Sequence, residues 1–308
     1  MRQTENSIGT IIYPDEICFA FNPTYIKISG CSAKSVALKI SSATASYSLE
    51  YMLFNGTCLA NISRALQMFF DTYKITECRS VSVDVSIIVG LSYSAFSFNT
   101  IAIWGNISPG ETFNGSRTVR WFDKFPQKLS VFTGGEFQDV GVANDTYSVV
   151  SPWDYTFDYT FQPASNGTIS FVHDSREDGV FLRWIDRHGM LQYWLFERGT
   201  KEIKNDKGGN ELTMDYADRE GNSFRNIKRQ QYFFSEVTQK LCASNVSEEE
   251  YSMLESILTS PVIDLYHTSP IVGWEPVQIS KGTVKRSTDI LQDFEFEISL
   301  PNINAQSL

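Results

Sequence analysis

Short runs in which apolar and polar residues alternate dominate the chain, and they predict strands with one buried and one solvated face. Val36-Ala37-Leu38-Lys39-Ile40, Tyr47-Ser48-Leu49-Glu50-Tyr51 and Val81-Ser82-Val83-Asp84-Val85 follow this pattern. Phe96 and Phe98, then Ile101 to Trp104, continue it. Gly, Pro, Asn and Ser interrupt these runs about every ten residues, the spacing of turns in a sandwich or barrel. The period changes between Asn61 and Tyr73, where Leu66, Phe69 and Phe70 fall at helical spacing, with Asn61 or Ser63 as cap. A short helix is expected over about 62–73.

The stretch from Thr133 to Asn166 is rich in Gly, Asp, Asn and Ser, and a domain boundary is expected near its end. This gives an N-terminal β domain over 1–170 and a C-terminal β domain over 171–308. In the second half, Val180–Ile185 and Met190–Phe196 flank Asp186-Arg187-His188-Gly189, which reads as a hairpin with Gly189 at the positive-φ position. Arg198 to Asn226 carries Lys201, Lys204, Lys207 and Gly208-Gly209 and reads as a long polar loop or an extended arm. Ser247 to Glu250 forms a capping box, so a helix is expected over about 248–258, ended by Pro261. Val262–Tyr266, Val277–Ile279 and Phe294–Leu300 then predict strands, the last alternating strictly. The expected class is mainly β, with two β-sandwich-like domains and two short α-helices.

Composition narrows the partners. The 308 residues are 42% hydrophobic, 14% aromatic and only 20% charged, which leaves surface available for coverage by other molecules. A formal charge of −10 argues against nucleic acid, whose phosphates select clustered Lys and Arg. The basic strip Lys281 to Arg286 reads as a solvated strand edge. Residues 1–6 lack the apolar core of a signal peptide and no run is long enough to span a bilayer, so cytoplasmic synthesis without export is expected. Cys18, Cys31, Cys58, Cys78 and Cys242 show no Cys-x-x-Cys spacing and read as reduced, buried side chains. Asn-x-Ser/Thr triplets at Asn55, Asn61, Asn106, Asn114, Asn144, Asn166 and Asn245 read as chance matches in a chain without a secretory signal.

Candidate chemistry is sparse. The three histidines, His173, His188 and His267, have no partner at metal-ligand spacing, and no nucleophile elbow, phosphate-binding loop or zinc-protease motif occurs. Asp154 with Asp158, or Glu295 with Glu297, are the carboxylate pairs a glycosidase would need, yet Glu295 and Glu297 share the outward face of one strand. Trp153, Trp184 and Trp274 would suit sugar stacking if exposed and core packing if not. No catalytic, cofactor-binding or metal-binding residue is assigned.

Three segments together carry a resemblance: Ser116 to Pro126; Leu182 to Gly189 followed by Tyr193-Trp194-Leu195-Phe196; and Ser260 to Tyr266 with Phe294-Glu295-Phe296. They resemble tail-associated proteins of Bacteroidetes phages and prophages. The resemblance implies a structural virion protein at the distal tail or baseplate, partnered by copies of itself in a ring and by neighbouring tail proteins. A tail module that binds a host-surface receptor or glycan is the alternative, and a polysaccharide-degrading enzyme is a third reading.

Overall fold

The computed structural model describes residues 1–71, 79–90, 93–108, 112–113, 117–133, 135–142, 145–149, 153–155, 161–163, 167–217, 224–269, 272–283 and 290–300. Residues 93–94, 112–113, 149, 153–155, 161–163, 214–217 and 224–227 are described by their backbone alone. The structure is mainly β, 66% strand and 7% helix, with several antiparallel sheets and two short helices. Two compact units divide the chain: Met1–Glu177 with Arg183–Trp194, and Asp178–Leu182 with Leu195–Leu308.

The first unit opens with β1 (Arg2–Asn6), β2 (Gly9–Tyr13), β3 (Ile17–Phe19), β4 (Tyr25–Ser29), β5 (Ser35–Ser41) and β6 (Ser46–Met52). Next come β7 (Cys58–Asn61), α1 (Ser63–Gln67), β8 (Ser80–Val89) and β9 (Tyr93–Ile103). They build a four-stranded sheet, β1-β2-β4-β7, and a five-stranded sheet, β3-β9-β8-β5-β6. Alternation decides the faces: Val36, Leu38 and Ile40 of β5 and Val83, Val85 and Ile87 of β8 are all buried. Helix α1 ends at Gln67, several residues short of the expected end at 73. Its N-cap is Ile62, without a side-chain cap bond, and not the expected Asn61 or Ser63; Asn61 lies one residue earlier, its side-chain oxygen accepting from the Ser63 amide at 3.1 Å and the Ser63 hydroxyl at 2.8 Å. After Gln67 the amides reach only three residues back, Phe69 to Leu66 and Phe70 to Gln67. This tighter turn swings Phe69 against Tyr47 and Phe70 against Trp104. Residues 72 and 73 lie outside the described residues.

The rest of this unit is made of smaller sheets. β10 (Thr112–Phe113), β11 (Arg117–Phe122), β12 (Leu129–Thr133) and β13 (Glu136–Val140) precede β14 (Thr146–Val149), β15 (Trp153–Tyr155), β16 (Phe161–Pro163) and β17 (Gly167–Asp174). Their orders are β10-β15-β16, β11-β17-β14 and β12-β13. β17, across which a division at residue 170 was expected, pairs with β11 along residues 169–174 and with β14 along 167–170. Leu129, Val131, Ile169 and Phe171 form one core cluster, and Phe19, Ile103, Ile107, Phe132 and Met190 another.

A closed six-stranded barrel follows in the order β18-β19-β20-β23-β22-β21. Its strands are β18 (Val180–Ile185), β19 (Leu191–Ala217), β20 (Phe224–Val246), β21 (Ile263–His267), β22 (Gly273–Gly282) and β23 (Gln292–Leu300). Closure satisfies the edges that an open sheet would expose. Phe294, Phe296 and Ile298 of β23 point inward, as strict alternation predicts. Phe296 meets Phe196 with ring centroids 4.9 Å apart. Helix α2 (Glu248–Glu255) begins with the predicted capping box and runs into a 3₁₀ turn, Ser256–Thr259. Its Tyr251 packs edge-on against Phe294 at 5.4 Å. Among the described residues no helix is long and apolar enough to cross a membrane.

The expected polar loop at 198–226 is corrected by the structure. Its described residues are strand, because β19 and β20 stay paired far beyond the barrel, from Glu197↔Cys242 to Ala217↔Phe224. Gly208 and Gly209, read as loop signals, sit instead at a bulge where the register shifts between Gly208 and Glu211. Gly209 has φ +71° there. A Cβ on Gly208 would come within 2.3 Å of the Tyr232 ring, so only glycine lets that ring lie across the strand.

Candidate interaction surface

Among the described residues, β20 pairs with β23 only over Val237–Val246. On the far side of Val237, β19 and β20 form a two-stranded ribbon, in which each is the other's only strand partner among the described residues. From Ile203 to Ala217 the ribbon extends on the order of 45 Å at roughly 3.3 Å per residue. A two-stranded ribbon is at best marginal in water, and among the described residues no further strand pairs with its outer edges.

The register assigns each side chain to a face. One face carries Ile203, Leu212 and Phe233, which are 55%, 48% and 45% exposed. Its charged groups are Lys201, Lys207 and Arg229, and among residues 201–213 and 228–239 no carboxylate shares that face. The opposite face carries Tyr232 and Phe234, stacked edge to face at 5.0 Å, with Phe234 59% exposed. Four carboxylates, Glu202, Asp206, Glu211 and Glu236, sit there beside two lysines, Lys204 and Lys228. Lys228 bonds Glu211 at 2.7 Å, and Lys207 reaches round the bulge to the same carboxylate at 3.9 Å. The Lys228 hydrogen bond holds the Glu211 carboxyl below its ordinary pKa. Lone exposed apolar residues are unremarkable on a monomer, but grouped ones on both sides of a projecting ribbon mark a contact surface.

The carboxylate pair Glu295 and Glu297 lies on the outer face of β23, in an open trough of about 450 Å³ also lined by Asp293, Lys240, Lys281 and Tyr251. Glu295 bonds Lys240 at 2.7 Å, and Glu297 lies 3.7 Å from Lys281. The Thr238 hydroxyl, then Lys281, hold the Glu297 carboxyl below its usual range, opposite to what a general acid needs. Of the other pair, Asp158 and the Asp154 side chain lie outside the described residues, as does the Trp153 side chain.

The remaining candidates are placed as follows. Trp184 is fully buried and serves the core, while Trp274 is half-buried and packs against Phe181 and Tyr266 at 5.8 and 5.1 Å. His188 stands 3.8 Å from Asp186 at the hairpin turn, and His267 lies 2.5 Å from Glu275. His173 bonds Asp123 at 2.7 Å and lies 3.6 Å from Asp145, partners distant in sequence. Among the described residues no group of three or more His, Cys, Asp or Glu is arranged to hold a metal. Cys31 and Cys58 are buried, while Cys18 and Cys242 are half-buried, and all four are free. Burial pushes the Cys18 thiol up to about 11. Cys78, Asn114, Asn144, Asn166 and residues 284–286 of the basic strip lie outside the described residues.

One ionic cluster had no sequence signal. Arg79 is 1% exposed and donates to Ser130 Oγ at 2.7 Å and Asp139 Oδ1 at 2.8 Å. Ser130 in turn donates to Asp139 and accepts the Leu191 amide at 3.0 Å. Ser130 and Asp139 lie 51 and 60 positions from Arg79, so only the fold brings the three together.

No family model, no curated protein and no solved structure matches the chain.

Proposed function

We propose that the chain is a non-enzymatic structural subunit of a phage tail, at the distal tail or baseplate, and that it works by docking to copies of itself and to neighbouring tail proteins. The ribbon of β19 and β20 carries this reading: it is anchored in a closed barrel, it projects free strand edges, and it shows apolar side chains on both faces. Such a device suits a subunit that reaches across to a neighbour. The placement in a tail rests on the resemblance of the three segments described above.

The test is a shortened ribbon, with Lys204–Glu236 replaced by an Asn-Gly turn that joins the paired residues Ile203 and Val237. The barrel pairing of Val237 with Leu300 is kept. The shortened chain is expected to fold, and to be missing from purified particles or to yield particles with incomplete tails. Normal, infective particles built from the shortened chain would overturn the reading.

A further inference from the structure

A ribbon with apolar side chains on both faces is not satisfied by one partner surface, because the second face would stay wet. The two faces are also unlike each other. One combines Ile203, Leu212 and Phe233 with cations only; the other combines Tyr232 and Phe234 with an excess of carboxylates. Face against like face would set Lys201, Lys207 and Arg229 against their own copies, a repulsive arrangement. Unlike faces match in both respects.

We propose that ribbons of neighbouring copies stack front to back, the cationic face of one on the acidic face of the next. The inference rests on the assembly reading above and names its contact: the occupant of each face is a second copy of this chain. A front-to-back contact is heterologous, so it does not end at a dimer. It closes into a ring where the rotation between copies allows and otherwise runs on as a filament, and the ring is the outcome that the assembly reading requires. With two strands spaced about 4.8 Å apart, one face covers on the order of 450 Å². That is well under the roughly 800 Å² per partner of a stable pairwise interface. A single contact is therefore weak, and stability comes from each copy making two and from closure of the last one within the ring.

The experiment compares full-length chains by sedimentation velocity. Lys201→Glu, Lys207→Glu and Arg229→Glu reverse one face; Glu202→Lys, Asp206→Lys and Glu236→Lys reverse the other. All six positions are exposed, so each variant is expected to keep the wild-type melting temperature, which is checked in parallel. Either triple variant alone is expected to self-associate on the order of a hundredfold more weakly than the wild type. An equimolar mixture of the two is expected to associate again, since every contact in an alternating stack is then complementary. A wild type that stays monomeric, loss confined to one triple variant, or a mixture that fails to recover would each overturn stacking. If in those cases the ribbon-shortened chain still fails to enter particles, the ribbon docks on another tail protein and the broader reading stands. Normal incorporation of the shortened chain would remove both.

Discussion

The Asp186 carboxylate accepts the backbone amide of Met190 at 2.9 Å, closing from within the turn that joins β18 to β19. The same oxygen takes the His188 amide at 2.8 Å, and the other takes Gln192 Nε2 at 2.7 Å. Burial alone would raise the pKa of this group, but the hydrogen bonds and charge of His188, with Gln192 and the Met190 amide, hold it below the ordinary carboxylate value. Asp186→Ala leaves a buried amide without an acceptor and is expected to cost about 3 kcal/mol in denaturant unfolding. Because the folded pKa is depressed, this stabilisation is present above the unfolded value of about 3.9 and is lost as pH falls through the folded one. The stability gap between wild type and Asp186→Asn should therefore narrow only below about pH 4. A gap that instead narrows near neutrality contradicts the assignment.

Arg79 and Asp139 give a second test, with a sign that depends on how many partners are removed. Arg79→Met strips the cation from a nearly buried carboxylate and is expected to destabilise by about 3–5 kcal/mol. Adding Asp139→Leu removes the stranded charge as well, and the double variant should recover most of that loss. Chemical denaturation of the two single variants and the double variant supplies the complete cycle. Additive losses would mean that the two groups act independently.

Strands β5, β6, β8 and β9 of the five-stranded sheet, and β18, β21 and β23 further on, were legible because alternation and apolar runs encode which side of a strand is buried, whereas the closure of a barrel and the sheet β1-β2-β4-β7 were not read. Phe294, Phe296 and Ile298 alternate with Glu295 and Glu297 and lie inward as read. The Asp186 to Gly189 turn was legible for a local reason: Gly189 has φ +81°, and a side chain there would strike the Trp104 carbonyl at 2.8 Å. The ribbon was not legible. Its residues bury little, so no apolar period marks it, and its glycines form a bulge that reads like a loop. Its strand character comes from partners: each strand continues a barrel stave, and pairing propagates outward from there. The Arg79 cluster and the contact of His173 with Asp123 were hidden for another reason, since residues 50 or more positions apart meet only after the sheets assemble.

His173 links β17 to the turn after β11 through Asp123 and to the start of β14 through Asp145. The Asp123 hydrogen bond raises its pKa above the usual histidine value against an opposing effect of burial, and the charges of Asp123 and Asp145 add to the rise. For a raised pKa the contribution to folding is fully present below the unfolded value of about 6.5, and it disappears as pH rises through the folded one. Titration of the His173 ring protons by NMR is expected to give a midpoint above about 6.5, moving down in Asp123→Asn. A midpoint unchanged by that substitution would show that the 2.7 Å contact does not govern the group.

The ribbon also makes a prediction about dynamics. Leu241 of β20 is buried and pairs with Phe296 of β23 and with Arg198 of β19, so its amide opens only when the barrel does. Residues 201–213 and 228–236 have one strand partner at most among the described residues, few buried contacts, and open edges. Their amides are expected to exchange with solvent far faster than those of the barrel in the dissociated chain, through local opening that leaves the barrel intact. In the proposed stack both faces are covered, so exchange over these residues should slow on assembly while the barrel amides change little. Hydrogen-exchange mass spectrometry of dissociated and assembled chain reads both states. Uniformly slow exchange along the ribbon before assembly would mean that it is already held by something other than its own cross-strand bonds.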